Sequence, residues 1–431
     1  MLLSKSLGVN KEGNLTIGGA DTVALAKSFG TPLYVFDEGL IVENMRAYKD
    51  VLDSYEGGGL ACYASKAFSC KEMARLAMRE GMGLDVVSGG ELYTAKSVDF
   101  PLFDICYHGN NKSISELEEA VDLGVGRIIA DSAEELKIIN GIAARYNKKQ
   151  KVFLRITPGI EAHTHEFIQT GQEDSKFGVT LSDGSAYKAL GEALKYDNIE
   201  IIGLHCHIGS QIFETEPFER AAEIMIEFMA KLANELGLRL SELDLGGGFG
   251  IKYIESDKPL PYKTYMQKTV DAIKAACEKF DFPKPFLLVE PGRSIVGAAG
   301  ITLYEVGAIK NIEGIRKYVS IDGGMGDNPR YIMYQADYTA LLAHKPYDDA
   351  DDTVTICGKC CESGDIIIKD AKIPVAKRGD ILAVLSTGAY NYSMASNYNR
   401  LPRPAAVMVR DGVPRVIIKR ETYSDIVRND I

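Results

Sequence analysis

The sequence predicts an α/β plus β protein: a (β/α)8 TIM barrel with a C-terminal β-barrel or β-sandwich domain. Three observations carry this expectation. The chain has 431 residues, more than one hydrophobic core ordinarily holds, so two domains are expected. From Leu60 onward, short apolar runs alternate eight times with stretches of helical periodicity. After Arg293 that alternation stops, and strand-like runs follow one another with turn residues between them.

In chain order, the first forty residues hold a hairpin-like Asn10–Ile17, a short helix over Asp21–Phe29 and a strand over Leu33–Phe36. They are expected to join the β domain, with the barrel inserted between its two pieces. The barrel strands are expected at Leu60–Ala64, Leu84–Val87, Ile105–Tyr107, Arg127–Ala130, Val152–Ile156, Ile201–His207, Leu243–Leu245 and Phe286–Val289. Ser113 with Glu116, and Ser132 with Glu135, have the spacing of capping boxes that open helices. Pro217–Leu236 is a longer amphipathic helix, its apolar residues three and four apart. A doubly wound sheet alternates in the same way, but eight consecutive units over this length are the arithmetic of a barrel. In the last third, Thr353–Cys357, Asp365–Ile368, Ile381–Leu385 and Ala405–Val409 read as strands. Asp411-Gly412, between Ala405–Val409 and Val416–Ile418, is a hairpin signal. The expected division is 38–290 for the barrel and 1–37 plus 291–431 for the β domain.

Composition narrows the function classes. Hydrophobic residues make up 46% and charged residues 25%, as in ordinary globular domains. The net charge of -11 lacks the basic face of a nucleic-acid binder, so no nucleic-acid partner is expected. The opening MLLSKSLGVNKEGN has no apolar run of signal-peptide length, and no stretch is long enough to span a membrane. A cytoplasmic protein with no membrane partner is the expectation. The eight cysteines are scattered, which fits reduced thiols better than a disulfide framework. Cys357, Cys360 and Cys361 form C-x-x-C-C, but no second pair stands at zinc-ribbon spacing, so no metal is expected.

In a barrel enzyme the chemistry gathers at the C-terminal ends of the strands. Lys66 follows the first strand in YASKAF; a strand-end lysine is commonly just solvated, while beside a pocket it is a candidate Schiff-base amine. His205 and His207 close the sixth strand in GLHCHIGSQ, on one face by alternation with Cys206 opposite, and Gly209 and Ser210 follow as an anion-facing loop. Gly246, Gly247 and Gly248 end the seventh strand in LDLGGGFG, where bare backbone amides can meet a phosphate. Glu290 and Arg293 end the eighth in LLVEPGRS, where a carboxylate can hold a cofactor's pyridine nitrogen protonated.

YASKAF, GLHCHIGSQ, LDLGGGFG, VEPGR, GKCCESGD and GAYNYSMASNYN, in this order from Pro32 to Pro404, resemble the fold-type III pyridoxal-phosphate decarboxylases, most closely the diaminopimelate decarboxylase family. The resemblance implies an alanine-racemase-like barrel, a C-terminal β domain, pyridoxal 5'-phosphate as cofactor and a homodimer with active sites at its interface. It implies that Lys66 carries the cofactor and that the His207 imidazole stacks on its ring. Ser210, Gly247, Gly248, Glu290, Pro291, Gly292, Arg293 and Tyr390 resemble cofactor contacts, with Glu290 on the pyridine nitrogen. Cys361 resembles the cysteine that reaches across the dimer to protonate the intermediate, and Glu362 a ligand of the substrate ammonium. Tyr390 also resembles a substrate contact.

The segment DGGMGDNPRYIMY decides the substrate. Arg330 and Tyr334 resemble the residues that bind the distal carboxylate of meso-2,6-diaminopimelate, aided by Arg293. A diamine-forming enzyme has no distal carboxylate to bind, and an arginine there would repel its distal amine. The implied reaction releases L-lysine and carbon dioxide in the last step of lysine biosynthesis. Arginine and carboxynorspermidine decarboxylation on the same scaffold, and a catalytically silent regulatory relative, are the alternatives. The stretch EAHTHEFIQTGQEDSKFG resembles the family's substrate-side loop. Tyr331 and Lys359 depart from the family pattern, each standing where proline is more usual.

Overall fold

A computed structural model describes residues 2–160 and 175–431. It divides into two compact units: one of Asn44–Gly250 and Pro259–Gly292, the other of Met1–Glu43, Ile251–Lys258 and Arg293–Ile431.

The first unit is a closed barrel of eight parallel strands: Gly59–Ala64, Gly83–Val86, Ile105–Tyr107, Arg127–Ala130, Gln150–Thr157, Ile199–His205, Glu242–Asp244 and Phe286–Val289. Each pairs with the next, and the eighth returns to the first with Leu287 opposite Gly59. The strands are apolar and mostly buried on both faces, as a sheet covered by helices outside and filled by side chains inside requires. Cys62, Cys106, Ile129, Phe153, Ile202 and Leu288 pack together from six of them. The sixth strand stops at His205, two residues earlier than the sequence predicts, which leaves His207 in the loop beyond it.

Helix ends follow the local sequence closely. Ser113 and Glu116 form the expected capping box. At the next helix Ser132 accepts from the Glu135 amide at 3.1 Å, but the Glu135 carboxylate turns away to the Asp131 amide at 2.7 Å and to Lys112 Nζ. The box is half made there, because a buried ammonium outcompetes an exposed backbone amide for the carboxylate. Helix Glu216–Leu236 ends at Gly237 with φ 69, the left-handed stop that glycine tolerates best.

The second unit is a mixed β-sheet running Ile366–Ile373, Asp352–Cys357, Arg316–Ile321, Gly300–Ile312, Leu33–Asp37, Ala405–Arg410, Val413–Ile418. Leu33–Asp37 is wholly buried, antiparallel to Gly300–Ile312 on one side and parallel to Ala405–Arg410 on the other. The N-terminal segment is therefore integral to the β domain. Asp411 (φ 51) and Gly412 (φ 79) make the expected tight hairpin, with Arg410 paired to Val413. The longest strand, Gly300–Ile312, goes unseen in the sequence. Its alternation is interrupted between Val306 and Ile309, where the register shifts around Gly307. Ile251–Lys258, inside the expected barrel range, clusters with the β unit because Ile251 and Tyr253 belong to its core. Among the described residues no helix is long and apolar enough to cross a membrane.

Candidate active site

The barrel unit encloses a cavity of 380 Å³ lined by Lys66, His108, Arg155, His205, His207 and Glu290, each at or just beyond a strand's C-terminal end. Lys66 sits on a single turn, Ser65–Ala67, that carries the chain away from the first strand. Its amine lies 3.1 Å from Oδ2 of the buried Asp85 on the second strand. The charge pair points a flexible side chain at one place.

Glu290 organises the cavity floor. Its Oε1 lies 2.5 Å from His108 Nε2, and its Oε2 lies 3.4 Å from His205 Nε2. Burial alone would raise its pKa, yet the two imidazoles hold the carboxyl well below the usual range, so it stays ionised. Burial pushes His205 down to about 3, and it is neutral at physiological pH. Asp244 on the seventh strand moves the other way. Burial, together with the neighbouring Glu290 charge, pushes its carboxyl well up. Its Oδ1 accepts from the Gly246 amide at 2.8 Å. His108, His205, Asp244 and Glu290 have donor atoms within 4.8 Å of one another. That set could embrace a metal ion.

His207 is held well below its usual pKa by burial and by the Lys66 and Arg155 charges. Its Nδ1 accepts from the Gly247 amide at 3.2 Å, which puts the imidazole proton on Nε2. The loop containing Ser210 is zipped to the triglycine loop: Ile212 donates its amide to Gly248 and accepts from Gly250, both at 3.0 Å. The glycines are a spatial necessity. A Cβ on Gly247 would meet Glu290 O at 2.2 Å, and one on Gly248, at φ 114, would meet Gly209 O at 2.5 Å. Gly292 is likewise closed in, a Cβ there meeting that of Ala64 at 2.9 Å, while Pro291 O accepts from the Ala64 amide. Gly247→Ala is expected to weaken cofactor binding at least about tenfold, measured by titrating the apoprotein with pyridoxal phosphate. Unchanged affinity would mean the loop does not cradle the phosphate.

Within the β unit, a second cluster forms around two guanidiniums. Arg293 Nη1 donates to Tyr253 Oη at 2.5 Å, and its Cζ stands 4.8 Å from the Tyr390 ring centroid. Arg330 opens the short helix Arg330–Tyr334, and its Cζ lies 5.6 Å from the rings of Tyr253 and Tyr390 and 5.7 Å from that of Tyr334. Arg330 is 7% exposed, and its guanidinium makes no hydrogen bond or ion pair with the described residues. The Asp365 carboxylate ties the loop before Arg330 to the loop carrying Cys361, accepting from the amides of Met325 at 2.6 Å and Cys360 at 2.8 Å. Cys361 and Glu362 are both exposed, whereas burial pushes the neighbouring Cys360 thiol up to about 11.

Residues 38–297 match the family described as "Pyridoxal-dependent decarboxylase, pyridoxal binding domain". The diaminopimelate decarboxylase of Bacillus methanolicus is 50% identical over 96% of this chain and 96% of its own length. That of Bacillus subtilis is 48% identical over 100% and 98%. The chain belongs to the diaminopimelate decarboxylase family. Among solved structures, the M. jannaschii diaminopimelate decarboxylase in complex with L-lysine superposes with a TM-score of 0.92 at 35% identity, over 100% of this chain and 99% of that one. The fold is thereby that of the diaminopimelate decarboxylases, a barrel plus a mixed β-sheet, and the cofactor is pyridoxal phosphate.

The residues present suit that cofactor. A buried, ionised carboxylate on the cavity floor fits a protonated ring nitrogen, and the glycine cradle fits a phosphate. Of the residues singled out from sequence, Lys66, His207 and Glu290 line one cavity, with Gly247 bonded to His207. Arg293, Arg330, Tyr334 and Tyr390 gather in the β unit. Sequence reasoning passed over Asp85, His108, Arg155, Asp244 and Tyr253. A signal was present for three of them: Asp85, Arg155 and Asp244 are single charges inside the apolar runs Leu84–Val87, Val152–Ile156 and Leu243–Leu245. The stretch EAHTHEFIQTGQEDSKFG lies outside the described residues up to 174; beyond it, the Phe177 ring lies 4.3 Å from Arg155 Cζ.

Proposed function

We propose that this enzyme decarboxylates meso-2,6-diaminopimelate to L-lysine and carbon dioxide, in the cytoplasm, as a homodimer. One observation carries the substrate choice: Arg330 is a buried guanidinium with no anionic partner among the described residues. A buried cation is costly unless an anion answers it, and a distal carboxylate is an anion of the right kind. Bound pyridoxal phosphate supplies an electron sink for the pair left behind when the α-carboxylate departs.

The chain does the rest. Lys66 would hold the cofactor's carbonyl carbon, and its amine, within reach of Asp85, would serve as a proton carrier. Glu290, kept ionised by His108 and His205, holds the ring nitrogen's proton. The neutral His207, oriented by the Gly247 amide, would bear on the cofactor's ring. Gly247 and Gly248, with Ser210, take the phosphate. Arg330, Tyr334 and Arg293 would grip the distal carboxylate, with the Tyr390 ring beside both guanidiniums. Cys361 and Glu362, exposed in the single chain, act in the partner's site, Cys361 delivering a proton to the former α-carbon and Glu362 receiving the distal ammonium.

Two measurements test this. Incubation with meso-diaminopimelate and pyridoxal phosphate is expected to yield equimolar carbon dioxide and L-lysine, with negligible turnover of ornithine, arginine or carboxynorspermidine. Comparable kcat/KM on any of these would refute the substrate. Mixing inactive Lys66→Ala and Cys361→Ala subunits is expected to restore about a quarter of wild-type activity, because each mixed dimer regains one intact site. No recovery after verified subunit exchange would place Cys361 in its own subunit's site.

A further inference from the structure

The proposed distal-carboxylate grip leaves a physical problem unsolved: two guanidiniums must share one apolar neighbourhood before any anion arrives. Like charges in a low-dielectric setting repel strongly and splay apart unless something between them offers negative potential. Tyr390 and Tyr253 both present a ring to the two guanidiniums, and Tyr253, five residues after Gly248, also accepts a hydrogen bond from one of them. Its phenol oxygen accepts from Arg293 Nη1 at 2.5 Å, while its ring stands 5.6 Å from Arg330 Cζ and 5.8 Å from Arg293 Cζ. The ring is nearly perpendicular to that of Tyr338 (89°), whose hydroxyl in turn accepts from Asn391 Nδ2 at 3.1 Å.

Tyr253 is itself fixed. Its amide donates to Asp257 Oδ2 at 2.9 Å, its carbonyl accepts from Thr339 Oγ1 at 3.1 Å, and its ring is part of the β unit's core. The hydroxyl therefore cannot drift with the arginine; the arginine is held by the hydroxyl. We propose that Tyr253 is a specificity-determining positioning residue, which sets Arg293 and Arg330 side by side so that a single substrate carboxylate meets both. The proposal rests on the distal-carboxylate reading above and adds the residue that makes two cations usable at one point. The electrostatics agree in sign: burial would raise the phenol's pKa, yet Arg293 and Arg330 bring it below its ordinary value, so the oxygen carries enhanced negative character.

The test uses the holoenzyme and two inhibitors that differ by one carboxylate, L-lysine and cadaverine. The readout is the ratio of their inhibition constants, which does not depend on the active fraction of a preparation. In Tyr253→Phe the ring and its packing remain and only the acceptor is lost. The ratio Ki(L-lysine)/Ki(cadaverine) is expected to rise about tenfold, and KM for diaminopimelate about as much, with kcat falling less than threefold. The cofactor's visible absorption is expected to match wild type, which a merely structural defect would not leave intact. A ratio unchanged in Tyr253→Phe but raised in Arg330→Ala would overturn the role of Tyr253 while sparing the substrate assignment. A ratio unchanged in both would overturn the distal-carboxylate reading and this proposal with it.

Discussion

Lys66→Ala is expected to lower kcat by at least about ten-thousandfold and to abolish covalent retention of the cofactor. The chain offers no substitute. Among the described residues lining the barrel cavity, Lys66 is the one primary amine, and its neighbours there are imidazoles, the Arg155 guanidinium and the Glu290 carboxylate. None of these forms a stable imine. Lys66→Arg separates chemistry from structure, since it keeps a cation opposite Asp85 but cannot form the imine either. Both variants are expected to fold, to bind pyridoxal phosphate reversibly, and to lack the visible band that borohydride bleaches in wild type. Decarboxylation of diaminopimelate by either at a tenth of the wild-type rate would end the assignment of Lys66.

Removing Arg330 is expected to divide kcat/KM for diaminopimelate by a factor of about 100 to 1,000, mostly through KM. Truncating one partner of a buried, charge-assisted contact costs about 2–5 kcal/mol, and most of that is paid by the carboxylate left without a partner. Arg330→Lys should recover only part, since an ammonium lacks the planar fork that meets two carboxylate oxygens. The same residue carries a stability consequence of opposite sign. In the unliganded protein the Arg330 charge is buried against three aromatic rings, with no anionic partner among the described residues. Arg330→Met is therefore expected to raise the unfolding temperature of the free enzyme by a few degrees and to erase the added stabilisation that L-lysine gives wild type. A lower unfolding temperature without ligand, or full stabilisation by L-lysine, would show that an anion inside the chain already answers Arg330.

Much of the fold was legible because barrel strands advertise themselves locally. Ile105–Tyr107, Arg127–Ala130 and Phe286–Val289 are apolar runs between helical periods, and their ends coincide with those expected. The Asp411-Gly412 turn was legible for a similar reason, since few dipeptides accept two successive positive φ values. Gly300–Ile312 was not, because a bulge at Gly307 shifts its register and spoils the alternation by which a half-buried strand is recognised. The sixth strand ran short for a different cause: His207 turns out of the ladder to receive the Gly247 amide, an interaction forty residues away in the chain.

The sequence by itself determined the reaction class and the cofactor through the resemblance of its ordered motifs to a known family, because each motif is a property of a few adjacent residues. Only the tertiary structure decided which charges survive burial. Barrel closure brings His108, His205 and Asp244 around Glu290, pushing the Glu290 carboxyl down and the Asp244 carboxyl up from their ordinary values. Packing in the β unit sets Tyr253 against Arg293 and Arg330. Those outcomes depend on distances between residues far apart in the chain and on the loss of water around them, and ionisation energies follow distance and solvation, not sequence spacing.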